Sequence, residues 1–446
     1  MKEQQHIFTN KMLRTLLIPV IFEQVLNSLM GTVDTMMVSN VGSAAISAVS
    51  LVDSINVLVI QAFSALAAGG AILCSQYIGQ KNHEMANKSA RQVLFIITAI
   101  SVAVTALCLL FRVPLLKLIF GKVESDVMTA SQVYFFYTAL SFPFIALYDA
   151  GASIFRSQGN TRGPMTVSVI SNVINIGGNA ALIWGFNMGV AGAAIATVFS
   201  QGVSAILCYI YMMRRFDILK TTPAERKFDG ALARTLMYIG VPMGLQFSIT
   251  AIGSIMLQSA NNALGTACVA AFTAAMRIKM FFMCPFESLG MAMATYSGQN
   301  YGAGKPERIW MGVKASALMM IVYWAFTFCV LMFGARTFAL LFVDASELEI
   351  LKNTELFLHI SVSFFPVLGL LCILRYTIQG VGYTNLAMLS GVSEMIARIL
   401  VSLLAVPAFG YLAVCFGDPT AWIFADAFLI PAFIYVYRRI LRMKKN

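Results

Sequence analysis

The chain has 446 residues, 59% of them hydrophobic and only 11% charged, with a formal net charge of +11. A water-soluble globule needs about a quarter of its residues charged, so the composition excludes one. The basic excess does not point to nucleic acid either, because it is dispersed over the short segments between long apolar runs rather than gathered in one polar domain.

Runs able to cross a hydrocarbon core of about 30 Å, at roughly 20 residues each, recur twelve times. In chain order the predicted spans are 15–38, 53–75, 92–112, 131–153, 165–185, 190–212, 236–259, 274–296, 316–336, 355–375, 386–406 and 413–437. They are continuously apolar and do not alternate, which predicts helices and excludes barrel strands. The first follows a basic start, but Pro19 and Glu23 interrupt it and no small-residue cleavage site follows, so it reads as a retained helix.

Helix 1 carries Glu23 and Asp34, eleven residues apart. That is close to three helical turns, so both fall on one face, about 16 Å apart along the axis. Helix 4 adds Asp149, and no Lys or Arg lies inside the first six spans except near their ends, so these acids are expected to lack a cationic partner. In helix 5, Asn175 and Asn179 are one turn apart and offer amide oxygens on one face, either to a cation or as glue between helices. Segment 217–233 carries both charge signs and a proline and reads as the linker between an N-lobe, 1–216, and a C-lobe, 234–446.

The C-lobe balances its signs. Glu287 lies in helix 8 with Arg277 and Lys279, Glu394 and Arg398 share helix 11, and Asp426 lies in helix 12. The i,i+4 spacing of Glu394 and Arg398 predicts a structural ion pair. An ionisable group at membrane depth costs a few kcal/mol unless paired or hydrated, so the acids without a partner are candidates for function.

Sliding the chain on itself by about 222 positions brings Pro19 onto Pro242, Pro143 onto Pro366, Val41-Gly42 onto Leu264-Gly265 and Gln158-Gly159 onto Gln379-Gly380. The chain is thus an internal duplication of six helices. An even number of helices per copy makes the repeat parallel, about an axis along the membrane normal. If the N-terminus is cytoplasmic, the inner segments collect residues from Lys2, Lys11 and Arg14 through Arg156, Arg162, Arg214, Arg215 and Arg375 to Arg438, Arg439 and Arg442. The outer side keeps Arg112, Lys117, Lys122, Arg336 and Lys352, an asymmetry that predicts both termini in the cytoplasm of a multi-pass, prokaryotic inner-membrane protein.

Eight scattered cysteines and three histidines support neither a disulfide framework nor a zinc site. An intramembrane enzyme is not expected, because no serine elbow, no HExxH run and no close pair of carboxylates within one span occurs, and no GxxxxGK[ST] loop provides ATP.

Three stretches, "IPVIFEQVLNSLMGTVDTMMVSNVG" in helix 1 and the "GQNYGAGKPERI" and "RSQGNTRGP" loops, make nearly the whole chain similar to the multidrug and toxic compound extrusion (MATE) family. The resemblance implies an all-α membrane protein of twelve helices in two six-helix lobes, with Asp34 as a cation-coupling residue and Asn175 and Asn179 beside it. Some members carry acids where this chain has Gln246 and, near Cys372, no charge, so a C-lobe coupling site of that kind is not implied, and Glu394 and Asp426 stand as possible substitutes.

The expectation is an antiporter, monomeric in the bilayer, that exports small amphipathic or cationic organic compounds against inward H⁺ or Na⁺. It would need no cofactor and no metal other than Na⁺ at Asp34. Further candidates for the cargo cavity or a secondary coupling site are Glu23, Asp149, Gln246, Glu287, Glu394, Arg398 and Asp426. The competing reading is a flippase for a lipid-linked saccharide, which would need a cationic groove for a pyrophosphate.

Overall fold

A computed structural model describes residues 10–38, 43–121, 124–215 and 228–445; the side chains of several residues within the first helix, Asp34 among them, lie outside that description. The Val41-Gly42 turn and most of segment 217–233 also lie outside the described residues.

The described residues fold almost wholly as helix: α1 Asn10–Val38, α2 Ser43–Gly79, α3 His83–Leu110, α4 Arg112–Phe120, α5 Ser125–Ser157, α6 Arg162–Asn179, α7 Gly189–Arg215, α8 Gly230–Asn262, α9 Thr266–Gly302, α10 Pro306–Ala339, α11 Leu348–Ser363, α12 Phe365–Val381, α13 Thr384–Leu400, α14 Val406–Phe409, α15 Tyr411–Cys415 and α16 Gly417–Lys445. Among the described residues ten helical stretches are long and apolar enough to cross a membrane, and α11 with α12 makes an eleventh. Helix α1, at 29 residues, is about 43 Å long, with a shorter apolar stretch at Leu17–Ser28.

One predicted span differs in shape. Residues 355–375 were expected as one helix, but α11 and α12 meet at a 50° bend. Pro366 sits in the first turn of α12, where its ring has no N–H to continue the helix before it. Pro19, Pro143 and Pro242 lie inside unbroken helices.

Two compact units emerge, Ile18–Gly244 and Leu245–Asn446 with Met1–Leu17. Their internal pairing follows one pattern. In the first unit α2 packs on α5 and α3, α5 on α7 and α3, and α6 on α7. In the second, α9 packs on α12 and α10, α12 on α16 and α10, and α13 on α16. A π-helical turn follows α6 at Ala180–Gly185, and another follows α13 at Val401–Ala405, 221 residues later. The duplication read from the sequence is therefore present in the backbone.

Between membrane helices burial gives little driving force, because lipid is as apolar as leucine, so close fit carries the packing. Helix α5 accordingly buries Ala146, Ala150, Gly151 and Ala152. Added to Gly69, a Cβ would lie 2.6 Å from the Gly240 Cα, so α2 and the start of α8 touch backbone to backbone. In the other unit a Cβ on Gly380 would lie 2.3 Å from the Ala294 carbonyl oxygen. Its core is aromatic: Phe286 meets Tyr323 and Phe365 edge-on, and Phe365 meets Trp422.

Asp229 closes the first unit at its surface. Its carboxylate accepts from the backbone N–H of Ala231 and Leu232 at the start of α8, and from Lys88 of α3 at 2.6 Å. The Lys88 hydrogen bond, ahead of the backbone ones, holds the Asp229 carboxyl below its ordinary range.

Candidate functional site

In the first unit the acids do not behave alike. Glu23, on α1, is 3% exposed, and the expectation that it lacks a cation is overturned. Arg156 Nη1 on α5 donates to both its oxygens, at 3.1 and 3.2 Å, and the Tyr148 hydroxyl donates to it at 3.0 Å. Arg156 looked like a loop residue because the predicted fourth span stopped at 153, whereas α5 continues to Ser157 and carries the guanidinium inward. A buried carboxylate gripped in this way has a counter-charge beside it and fastens α1 to α5.

Asp149, one residue after Tyr148, takes its hydrogen bond from the Ser64 hydroxyl of α2. It stands in the electrostatic field of Glu23 and Arg156, yet no ion pair among the described residues includes it. Asn175 and Asn179 are wholly buried on α6. Asn175 donates to Thr197 Oγ1 of α7 at 3.3 Å, and its Oδ1 accepts from Asn179 at 3.4 Å. The π turn begins directly after Asn179, a local widening that frequently marks functional positions in helices. Asp34 belongs to α1, and its side chain lies outside the described residues.

The second unit holds a continuous ionic network. Glu394 and Arg398 on α13 form the expected i,i+4 pair, at 3.4 Å, but the pair is one link in a longer chain. Arg375 of α12 also grips Glu394, Arg398 Nε donates to Asp418 of α16 at 2.9 Å, and Lys279 of α9 closes on Asp418. Lys279 is 2% exposed and also faces the Trp422 ring at 5.8 Å. Arg375, taken from the sequence as a cytoplasmic loop residue, is instead buried inside α12. Asp418 was not singled out at all, although an acid two residues past Phe416 in an apolar run was the available signal.

Asp426 on α16 is 5% exposed, and Glu287 on α9 is exposed; both stand in the field of Arg375, and no ion pair among the described residues includes either. Gln246 accepts from Gln379 Nε2 at 2.8 Å, a neutral hydrogen bond between α8 and α12. Among the described residues no cluster of three His, Cys, Asp or Glu side chains can hold a metal ion. Sorted by partner, Glu23, Glu394 and Asp418 are neutralised by arginine or lysine, while no ion pair among the described residues includes Asp149, Asp426 or Glu287.

A family model described as MatE matches residues 19–181 and 239–404, two stretches that begin 220 residues apart. Among curated proteins the chain is similar to a probable multidrug resistance protein, YoeA, of Bacillus subtilis, 27% identical over 329 residues and 70% of each chain. It is also similar to an FAD transporter of Shewanella oneidensis, 24% identical over 76% of this chain and 75% of that one. The solved outward-facing conformation of a multidrug resistance MATE family transporter of the MOP superfamily superimposes with a TM-score of 0.90 over 98% of this chain and 97% of the other. At 20% identity that likeness is one of fold.

Proposed function

The chain belongs to the MatE family of multi-pass membrane transporters, and from that premise we propose that it is a secondary-active exporter of small amphipathic, often cationic, organic compounds, driven by inward H⁺ or Na⁺. It works in the inner membrane of a prokaryotic cell with both termini cytoplasmic, and it is a transporter rather than an enzyme. Kinship supports export, since the matched relatives include a multidrug resistance protein.

The observation that carries ion coupling is the unequal treatment of the acids in the first unit. Glu23 is locked by Arg156, whereas Asp149 has a hydroxyl as its hydrogen-bond partner. An ionised Asp149 can only accept, as it does from Ser64. Once protonated it gains a donor beside its remaining acceptor oxygen, so the link between α2 and α5 is no longer bound to one direction. Asp34 takes the ion on the same helix as Glu23, with Asn175 and Asn179 supplying amide oxygens and Asp149 the second carboxylate. Binding of the ion and of a cationic cargo is mutually unfavourable, since both compete for the same negative charge or favour opposite conformers, and each lowers the affinity for the other by an equal factor.

A lipid-linked saccharide flippase is not favoured. Of the basic groups that a pyrophosphate would seek in the second unit, Lys279, Arg375 and Arg398 are already engaged by Asp418 and Glu394, which leaves Arg277, exposed on α9, in no ion pair among the described residues.

Accumulation of a fluorescent organic cation in exporter-deficient cells tests the proposal. Wild type should lower accumulation, Asp34→Asn should abolish the effect, and Asp149→Asn should weaken it. Export by Asp34→Asn at the wild-type level rules out the coupling site.

A further inference from the structure

Along α16, residues Pro431, Ile434, Tyr435, Arg438, Arg439 and Arg442 line a hollow of about 640 Å³. They recur at three- and four-residue spacing, so a single helical face carries all six. The opposite face is committed to packing: Val436 and Ile440 are buried with Ile309 and Val381, and Trp310 of α10 stacks on Phe433 with ring centroids 5.9 Å apart. Along the hollow the chemistry changes in order, from apolar at Pro431 and Ile434, through the Tyr435 ring, to cationic at Arg438, Arg439 and Arg442. All six lie in the stretch of α16 that is long and apolar enough to span the bilayer, with the arginines in its last turns.

Three guanidiniums within five residues repel one another, and no ion pair among the described residues includes any of them. Their neighbours are rings. Arg439 Nη1 donates to the Tyr435 hydroxyl at 3.4 Å, and its guanidinium carbon lies 5.6 Å from the centre of the Tyr383 ring. Such contacts orient an arginine without neutralising it. The topological bias for basic residues at the end of a span asks for cations at this depth, but it asks for neither a hollow nor an apolar floor leading into it.

From this sequence of apolar, aromatic and cationic lining we propose that the hollow binds the headgroup of an anionic phospholipid. The phosphate sits among Arg438, Arg439 and Arg442, where guanidinium planes match its oxygens bidentately, the glycerol region rests against Tyr435, and an acyl chain runs along Ile434 and Pro431. A lipid suits the hollow better than a free phosphate because half of the lining, Pro431, Ile434 and the Tyr435 ring, offers an apolar surface that a free phosphate would leave uncovered.

The test titrates the purified full chain, in a neutral detergent, with phosphatidylglycerol or phosphatidylcholine, and reads bound lipid by native mass spectrometry and the midpoint of thermal unfolding. Phosphatidylglycerol should bind with a preference on the order of a hundredfold, from three arginines at an anionic lipid surface. The variant Arg438→Gln/Arg439→Gln/Arg442→Gln should lose that preference, while Arg112→Gln, remote in sequence, should keep it. If the triple variant does not fold, Arg439→Gln and Arg439→Lys replace it; both should weaken binding, since lysine cannot reproduce the fork. Equal binding of the two lipids, an unchanged preference in the arginine variants, or the same stabilisation by water-soluble glycerol phosphate would overturn the lipid site.

Discussion

Replacing Arg156 by Gln leaves the Glu23 carboxylate buried with the Tyr148 hydroxyl and no counter-charge, which should cost about 3 kcal/mol of stability. The double variant Glu23→Gln/Arg156→Gln should recover most of that loss, as read by unfolding midpoints in detergent. A milder dependence belongs to Asp229. Its carboxyl is held below the ordinary range, so its contribution is present above the unfolded value near 3.8 and fades as pH falls through the folded one. The difference in melting temperature between wild type and Asp229→Asn should therefore be visible at pH 6 and vanish at strongly acidic pH; a difference unchanged by acid would contradict the Lys88 contact. The sequence showed where acids lie along the spans but not which were paired. The partners Arg156 and Arg375 sit at the ends of spans, where a residue-by-residue reading places them in loops, and only the helix lengths bring them inside.

At the scale of the helix, close backbone approach decides more than hydropathy. Gly69→Val should force α2 from the start of α8, destabilising by about 2 kcal/mol through overpacking, with export falling in parallel. Gly177→Ala, where an added Cβ meets nothing within 4 Å, should be neutral by both readouts. Comparable loss from both variants would contradict the contact at Gly69, since alanine and valine both exceed glycine in helix propensity and Gly177 has nothing to meet. The centres of the spans were legible because twenty apolar residues admit one reading in a bilayer. Their ends were not: α2 and α9 run to 37 residues each, since a helix goes on into water until a breaker stops it. The bend between α11 and α12 was legible through Pro366, while the two π turns left no mark in composition.

Over the whole molecule, duplication was the most legible feature, because prolines and glycines fall into register at one offset, and the same pairing of helices recurs in both units. The division between the compact units falls inside helices, at Leu17–Ile18 beside Pro19 and at Gly244–Leu245 beside Pro242. A continuous helix gives no compositional boundary there. The central claim is that inward ion flow through the first unit drives export. Its most direct test is purified protein in liposomes loaded with a fluorescent organic cation, with H⁺ and Na⁺ gradients imposed one at a time on wild type and Asp34→Asn. One gradient should drive cargo movement by the wild type, and Asp34→Asn should reduce it to the leak of protein-free liposomes. Equal movement by both proteins, or movement by the wild type that ignores both gradients, would contradict it.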